Sequence, residues 1–321
     1  MRKSDSVFFV YKIVLLVIVF SNVLYAQPYA YITNQGDNSL SVINTHTNKV
    51  IKTIDVGHRP AGVVVSNNGK RVYITNPESK DISVIDTKKL LNIKTIKVGT
   101  SPLAIAISPD DQTIYVADWY DDAVFIIDTV SLKIANKIKV GDSPSGLTVH
   151  PSGQFLYVAN RDENTIMIIQ LSENKIIDTI KVGTAPFGLA LNLKRNELYS
   201  ANVRSNNISI IDLETKKIKN IKVGNFPYAI EVDETNNRIF VTNQRSSTVS
   251  VIDLNLKKNI HNINVGEYPE GIDFHPDKIN LYVANWFDNL VSVIDTRSLK
   301  VIDEITVGEG CRAYGEFISR Q

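Results

Sequence analysis

Short stretches in which apolar and polar residues alternate recur along the chain from residue 29 to its end. In the second repeat they cover Gly62–Val65, Arg71–Thr75, Ile82–Asp86 and Ile93–Val98, and polar turns such as Asn67-Asn68-Gly69 separate them. The stretches are rich in Val, Ile, Thr and Tyr, and no window carries a helical period. Each repeat is therefore predicted to form four short β-strands.

A Val-Gly dipeptide marks the period of the repeat. It occurs at Val56-Gly57, Val98-Gly99, Val140-Gly141, Val182-Gly183, Val223-Gly224, Val265-Gly266 and Val307-Gly308. A proline stands three residues after each glycine except the last, where Cys311 replaces it. Units of this length with four strands are typical of propeller blades. We predict an all-β, seven-bladed β-propeller of four-stranded blades that forms a single domain over residues 27–321.

The two ends of the array predict how the ring closes. Residues 29–33 correspond to the second strand of a blade, and residues 312–319 can supply one more strand after the last Val-Gly. We expect this C-terminal strand to become the innermost strand of the first blade, beside residues 29–55. Such closure leaves no sheet edge open at the seam.

An aromatic residue followed three positions later by Asn or Asp keeps the same period. The clearest copies are YITN at 31–34 and 73–76, YVAD at 115–118, YVAN at 157–160 and 282–285, and FVTN at 240–243. With the S-V-I-D segments that follow and the VGxxP turns, the pattern resembles the YVTN family of β-propeller repeats over residues 29 to about 318. The resemblance implies a propeller that is exported or displayed at the cell surface. Many members of that family have no assigned reaction, so the fold does not name a function.

The first 26 residues read as an export signal. Met1-Arg2-Lys3 is basic, Ile13–Phe20 is apolar, and Ser21–Ala26 is a plausible cleavage region. We predict a signal peptide over residues 1–26, cleaved after Ala26. An uncleaved anchor is the alternative, but the apolar run is short against the roughly 20 residues of a spanning helix. The mature protein is expected to be a monomer without a transmembrane segment, in the periplasm, at the cell surface or outside the cell.

Composition narrows the choice of function. The chain has 321 residues, 21% of them charged and 43% hydrophobic, with a formal net charge of +1. These values exclude a disordered chain and argue against the basic field of most nucleic-acid-binding domains. The single cysteine excludes a disulfide framework and a Cys-rich zinc site. We expect Cys311 to be a structural variant at the seam.

One face of the propeller, here called the loop face, carries the VGxxP turns and the loops after each Tyr-x-x-Asn. Where the repeats differ on this face, aromatic and arginine side chains gather. The predicted binding residues are Trp119, Tyr120, Arg161, Arg204, Arg245, Trp286, Phe287, Arg59 and Arg312. Such side chains stack on flat groups, pair with anions and dominate protein interfaces. Alternatively, the aromatics pad the rim, and Asp121, Asp162, Glu163 and Asp288 neutralise the arginines.

A second departure from the repeat lies on the innermost strands. Four residues after the proline, blades two to five carry Val64, Ala106, Thr148 and Ala190, whereas blades six and seven carry Glu231 and Asp273. Glu316 is the counterpart in blade one, with a one-residue shift. Three carboxylates on adjacent strands would suit a divalent cation such as calcium or magnesium. The alternative is that they are hydrated acids of the channel wall.

Four functions remain open. The leading hypothesis is an exported, non-enzymatic scaffold that binds a protein or a cell-envelope polymer, since no Ser-His-Asp, Walker or dinucleotide motif occurs in a suitable context. An enzyme resembling the lactonases and lyases of similar folds would use the three carboxylates around a metal, with His58 or Glu270 transferring protons. Single-stranded nucleic acid could bind the Trp–Arg arc. An accessory role in a periplasmic redox system is a weaker alternative.

Overall fold

The computed structural model describes residues 28–320, so the predicted signal peptide lies outside the described residues. In chain order the strands are β1 (Tyr29–Asn34), β2 (Ser39–Asn44), β3 (Lys49–Asp55), β4 (Val63–Val65), β5 (Arg71–Asn76), β6 (Asp81–Asp86), β7 (Leu91–Lys97), β8 (Pro102–Ile107), β9 (Thr113–Asp118), β10 (Ala123–Asp128), β11 (Lys133–Lys139), β12 (Pro144–Val149), β13 (Phe155–Asn160) and β14 (Thr165–Gln170). They continue with β15 (Lys175–Lys181), β16 (Pro186–Asn192), β17 (Glu197–Asn202), β18 (Asn207–Asp212), β19 (Ile218–Lys222), β20 (Pro227–Asp233), β21 (Arg238–Asn243), β22 (Thr248–Asp253), β23 (Lys258–Asn264), β24 (Pro269–Phe274), β25 (Asn280–Asn285), β26 (Leu290–Asp295) and β27 (Lys300–Thr306). A 3-10 turn at Gln244–Ser246 is the one helical element within this part of the chain.

These strands form seven antiparallel sheets arranged as the blades of a propeller. Six sheets contain four strands that follow one another in sequence, as in β4-β5-β6-β7, and the first contains β1-β2-β3. The predicted fold class is confirmed. No helix among the described residues is long and apolar enough to cross a membrane.

The C-terminal segment completes the first blade. The Arg312 N–H donates to the Thr33 carbonyl, the Tyr31 N–H to the Phe317 carbonyl and the Ser319 N–H to the Tyr29 carbonyl, each at 2.9 Å. The segment pairs with β1 through isolated antiparallel bridges rather than as a regular strand. The reason is local, since Ala313 and Gly315 have positive φ angles of 52° and 128°. The ring closes where the sequence predicts, with Cys311 buried at the seam.

The repeated residues form a recurring hydrogen-bonded scaffold. In blade two, Asn76 Nδ2 donates to Ser83 Oγ at 3.0 Å, and a Cβ built on Gly57 would stand 2.6 Å from the Asn76 side chain. Only glycine leaves that space open. The same amide-to-hydroxyl bond joins Asn34 to Ser41, Asn202 to Ser209, Asn243 to Ser250 and Asn285 to Ser292.

The small residue two positions after each proline lets neighbouring inner strands approach the axis. A Cβ built on Gly188 would stand 2.3 Å from the Tyr228 carbonyl oxygen, and one on Gly271 would stand 2.1 Å from the Ala313 carbonyl oxygen. These contacts join blade five to blade six and blade seven to the C-terminal segment. Side chains on either side of this slot therefore meet around a narrow axis.

Candidate functional site

Three aromatic rings block the axis of the propeller. Phe187 on β16 and Tyr228 on β20 are stacked with their centroids 4.1 Å apart. The Tyr314 ring meets both of them edge-on, at 5.1 and 5.6 Å. Phe187 and Tyr228 line a cavity that opens on the loop face, whereas Tyr314 lines a cavity toward the opposite face. These three rings, here called the aromatic plug, separate the two cavities.

The loop-face cavity has a volume of about 390 Å³. It brings together five of the nine predicted binding residues: Trp119, Tyr120, Arg161, Trp286 and Arg312. The other four, Arg59, Arg204, Arg245 and Phe287, do not line it. A volume of this size falls in the range of about 300–1,000 Å³ that is usual for small-molecule sites.

A buried ion pair forms the floor of the loop-face cavity. Arg312 Nε donates to Glu270 Oε2, and Arg312 Nη2 donates to Tyr228 Oη at 2.8 Å. Gln244 Nε2 donates to Glu270 Oε1 at 2.9 Å. The Glu270 residue is only 1% exposed. Burial raises the pKa of Glu270. The positive charge of Arg312, its hydrogen bond and the hydrogen bond from Gln244 each counteract part of that rise.

Aromatic side chains form the rim. Trp286 stacks on Phe287 at 4.9 Å, and Tyr268 contacts both rings at 5.4 and 4.8 Å. Tyr120, beside Trp119 in blade three, is 71% exposed, and Phe287 is 58% exposed. Large apolar groups at this exposure, clustered around a cavity, are typical of interaction sites.

The rim arginines are largely engaged with neighbours. The Arg161 guanidinium lies 5.4 Å from the Trp119 ring centroid, and its Nη1 is 2.9 Å from Asp162 Oδ1. Arg59 pairs with Glu78 at 3.3 Å. Arg245 lies over the Phe226 ring at 4.0 Å, and Arg204 is exposed. The pairing of Arg161 with Asp162 agrees with the alternative prediction that acidic residues of these loops neutralise the arginines.

The cavity on the opposite face is larger, about 570 Å³, and holds the predicted acids. Glu231 on β20 and Asp273 on β24 lie on inner strands that contact each other across the blade boundary, and Asp273 Oδ2 accepts the Ile318 N–H at 2.8 Å. Burial, followed by the charge of Asp273, raises the pKa of Glu231 to about 8. Burial also raises the pKa of Asp273 to about 7, against the opposing charge of Arg320.

The third predicted acid, Glu316, lines the same cavity but is exposed, whereas Glu231 and Asp273 lie deeper. It pairs with Arg320, Oε2 to Nη2, at 3.0 Å. Among residues 28–320 no group of three His, Cys, Asp or Glu residues is placed to hold a metal ion. Glu270 lines the loop-face cavity, and His58 is exposed and lines neither cavity. The residues of the hydrolytic alternative are thus divided between two sides of the aromatic plug.

Comparison with known proteins agrees with this architecture. The profile of the YNCE-like beta-propeller family matches residues 107–278, more than half of the chain. The chain belongs to this family. No curated protein matches the chain.

Solved structures share the fold of this YNCE-like propeller. Hydrazine synthase of Kuenenia stuttgartiensis is 21% identical, with a TM-score of 0.76, over 83% of this chain and 92% of that one. A functionally unknown protein from Desulfotomaculum acetoxidans is 16% identical, with a TM-score of 0.77, over 89% and 99%. The dihydro-heme d1 dehydrogenase NirN is 14% identical, with a TM-score of 0.69, over 88% and 74%. At these identities the likeness shows the fold alone.

Several residues of the loop-face cavity in this YNCE-like propeller were not predicted. Phe187, Tyr228, Gln244 and Tyr268 line it alongside the predicted residues. A signal for two of them, Phe187 and Tyr228, exists directly after the repeated proline. The position after it changes from blade to blade, as Ala61, Leu103, Ser145, Phe187, Tyr228, Glu270 and Arg312. Attention to this one slot would have found the floor of the cavity and two rings of the plug.

Proposed function

We propose that the protein is an exported, non-enzymatic binding protein that holds a segment of a macromolecule in the loop-face cavity. The observation that carries the proposal is the convergence of Trp119, Trp286, Arg161 and Arg312 on one concave surface. A cavity with aromatic walls and a few fixed polar groups is typical of recognition sites. Trp and Arg are also the side chains most enriched among residues that dominate binding energy.

The state of the floor favours binding over catalysis. Both oxygens of Glu270 accept hydrogen bonds, one from the Arg312 Nε and the other from the Gln244 amide. These bonds direct the Glu270 carboxylate toward Arg312 and Gln244. Glu270 thereby holds the Arg312 guanidinium in a fixed orientation below the rim, which is the arrangement of a binding group.

Export is the part of the proposal that rests on the sequence. It is supported by the layout of residues 1–26 and by the resemblance of the repeat to the exported and surface proteins of the YVTN family. Protein recovered from the envelope or medium of producing cells is expected to begin at Gln27. A chain that still begins at Met1 and stays inside the cell would contradict export.

Binding is tested by co-sedimentation of the purified protein with isolated cell-envelope polymer. We expect the paired substitution Trp119→Ala and Trp286→Ala to weaken binding about tenfold or more, because two aromatic walls are removed from one cavity. Leu193→Ala on the opposite face is the matched control, since Leu193 is exposed and lines only the other cavity. Binding by the paired variant that equals wild type, with both proteins folded, would remove the loop-face cavity from the function.

A further inference from the structure

The charged groups of the loop-face cavity neutralise one another. Arg312 is paired with Glu270 on the floor, and Arg161 is paired with Asp162 at the rim. The Arg312 side chain is 16% exposed and also donates to Tyr228 Oη. A cation already paired and hydrogen-bonded offers little additional attraction to an incoming anion. The cavity therefore favours a ligand without net charge.

The walls present flat apolar surfaces on two sides of the cavity. Trp119 and Tyr120 follow β9 in blade three, whereas Trp286 and Tyr268 flank β24 and β25 in blade seven. Trp119 and Trp286 are half-buried, so each shows part of its ring to the cavity. Below these rings, the floor offers planar groups that donate and accept hydrogen bonds: the guanidinium of Arg312, the carboxylate of Glu270 and the amide of Gln244.

We propose, on the basis of the function proposed above, that the bound segment is a chain of neutral sugars. A pyranose ring has a face of C–H groups that packs on an aromatic ring. Its edge carries neighbouring hydroxyls, which both donate and accept, and the planar floor groups match such hydroxyl pairs. The cavity of about 390 Å³ accommodates a short oligosaccharide stretch.

The exposed rim allows the sugar chain to continue beyond the cavity. Tyr120 and Phe287 extend the aromatic surface outward from Trp119 and Trp286. A polymer can thus be held at an internal position, without an end being buried. Single-stranded nucleic acid also stacks on aromatic rings, but its phosphates need free cations along the groove. The arginines of this cavity are paired with carboxylates, which favours the neutral chain.

Intrinsic fluorescence provides a direct readout. The protein has two tryptophans, and both line the loop-face cavity. The purified protein would be titrated with hexasaccharides of β-1,4-linked glucose and of β-1,4-linked N-acetylglucosamine. Hexagalacturonate, a single-stranded oligonucleotide and a tyrosine-rich peptide complete the panel. We expect a saturable emission change with a neutral hexasaccharide and at least about tenfold weaker binding of every other probe.

Three variants locate the response: one at the rim, one on the opposite face and one on the floor of the cavity. Tyr120→Ala changes an exposed side chain of the rim and is expected to weaken neutral hexasaccharide binding several-fold, whereas Leu193→Ala on the opposite face leaves it unchanged. Glu270→Gln leaves Arg312 without its carboxylate partner, so affinity should move toward hexagalacturonate. Circular dichroism of each variant verifies that the β structure is retained.

The outcomes separate this inference from the proposed function. Preference for hexagalacturonate, the oligonucleotide or the peptide, with loss on Tyr120→Ala, overturns the neutral-sugar assignment and leaves a binding role for the cavity. The neutral-sugar assignment is also overturned if no probe of the panel changes the tryptophan emission and no probe binds in a way that depends on Tyr120. If envelope co-sedimentation is then also independent of Trp119 and Trp286, the proposed function falls with it.

Discussion

The two cavities of this propeller share inner strands, but the buried acids in them have different partners. Glu270 and Asp273 both lie on β24, three residues apart, on different sides of the aromatic plug. Glu270 is paired with the Arg312 guanidinium, whereas Asp273 lies beside a second acid, Glu231. Burial raises the pKa of the carboxyl groups in both cavities. The side chain supplied by the neighbouring blade modifies that rise, since the charge of Arg312 opposes it at Glu270 and the charge of Asp273 adds to it at Glu231.

Removal of residues 312–321 should have the largest effect, because this segment contributes to both cavities and closes the ring. It carries Arg312, Tyr314 and the buried Phe317 and Ile318. Loss of one large core side chain costs about 2–5 kcal/mol, and whole domains are stable by only about 5–15 kcal/mol. We expect the truncated chain to lose cooperative thermal unfolding in calorimetry. Arg320→Ala, at the exposed end of the segment, is the control. If the truncated chain melts within a few degrees of this control, the C-terminal segment does not stabilise the closed ring.

Separation of the loop-face ion pair should have the next largest effect. Arg312→Ala leaves the buried Glu270 carboxylate without its cation, and breaking such a pair costs about 3–5 kcal/mol. We expect urea unfolding to show a loss of this order for Arg312→Ala. The double variant Arg312→Gln with Glu270→Gln removes both charges and should recover much of it. If the single and double variants lose the same free energy of unfolding, the loss does not come from the unpaired charge of Glu270.

The acids of the opposite-face cavity should produce a smaller effect that depends on pH. The pKa of Glu231 rises from 4.5 to about 8 and that of Asp273 from 3.8 to about 7 on folding. Between these values the unfolded chain is ionised while the folded protein keeps its protons, so the free energy of unfolding falls as pH rises from about 4 to 8. The charges of Lys278 and Arg320 reduce this loss, and that of Glu316 adds to it.

Thermal unfolding measured from pH 4 to 8 isolates that contribution. The paired substitution Glu231→Gln and Asp273→Asn should flatten the decline relative to wild type. Glu173→Gln, in an exposed outer hairpin, should leave the slope unchanged. Parallel curves for wild type and the paired variant would mean that the two acids ionise in the folded protein much as they do in the unfolded chain.

Much of the fold could be predicted because the interactions that build a blade are local and repeated. In blade two the predicted strands differ from β4–β7 by at most two residues at either end. The site was predicted less completely. Trp119 and Trp286 were found because they break the repeat in the same slot, whereas Phe187 and Tyr228 were missed because apolar rings on inner strands read as ordinary core.

The sequence by itself determined the number of blades, their strands and the place where the ring closes, since period and alternation act within some forty residues. Only the tertiary structure decided which exceptional residues meet. Glu270 and Arg312 are 42 positions apart, and Tyr228 and Arg312 are 84 apart. These side chains come together because blades six, seven and one converge on the axis. The same convergence places three rings across the channel and divides it into two electrostatically different cavities.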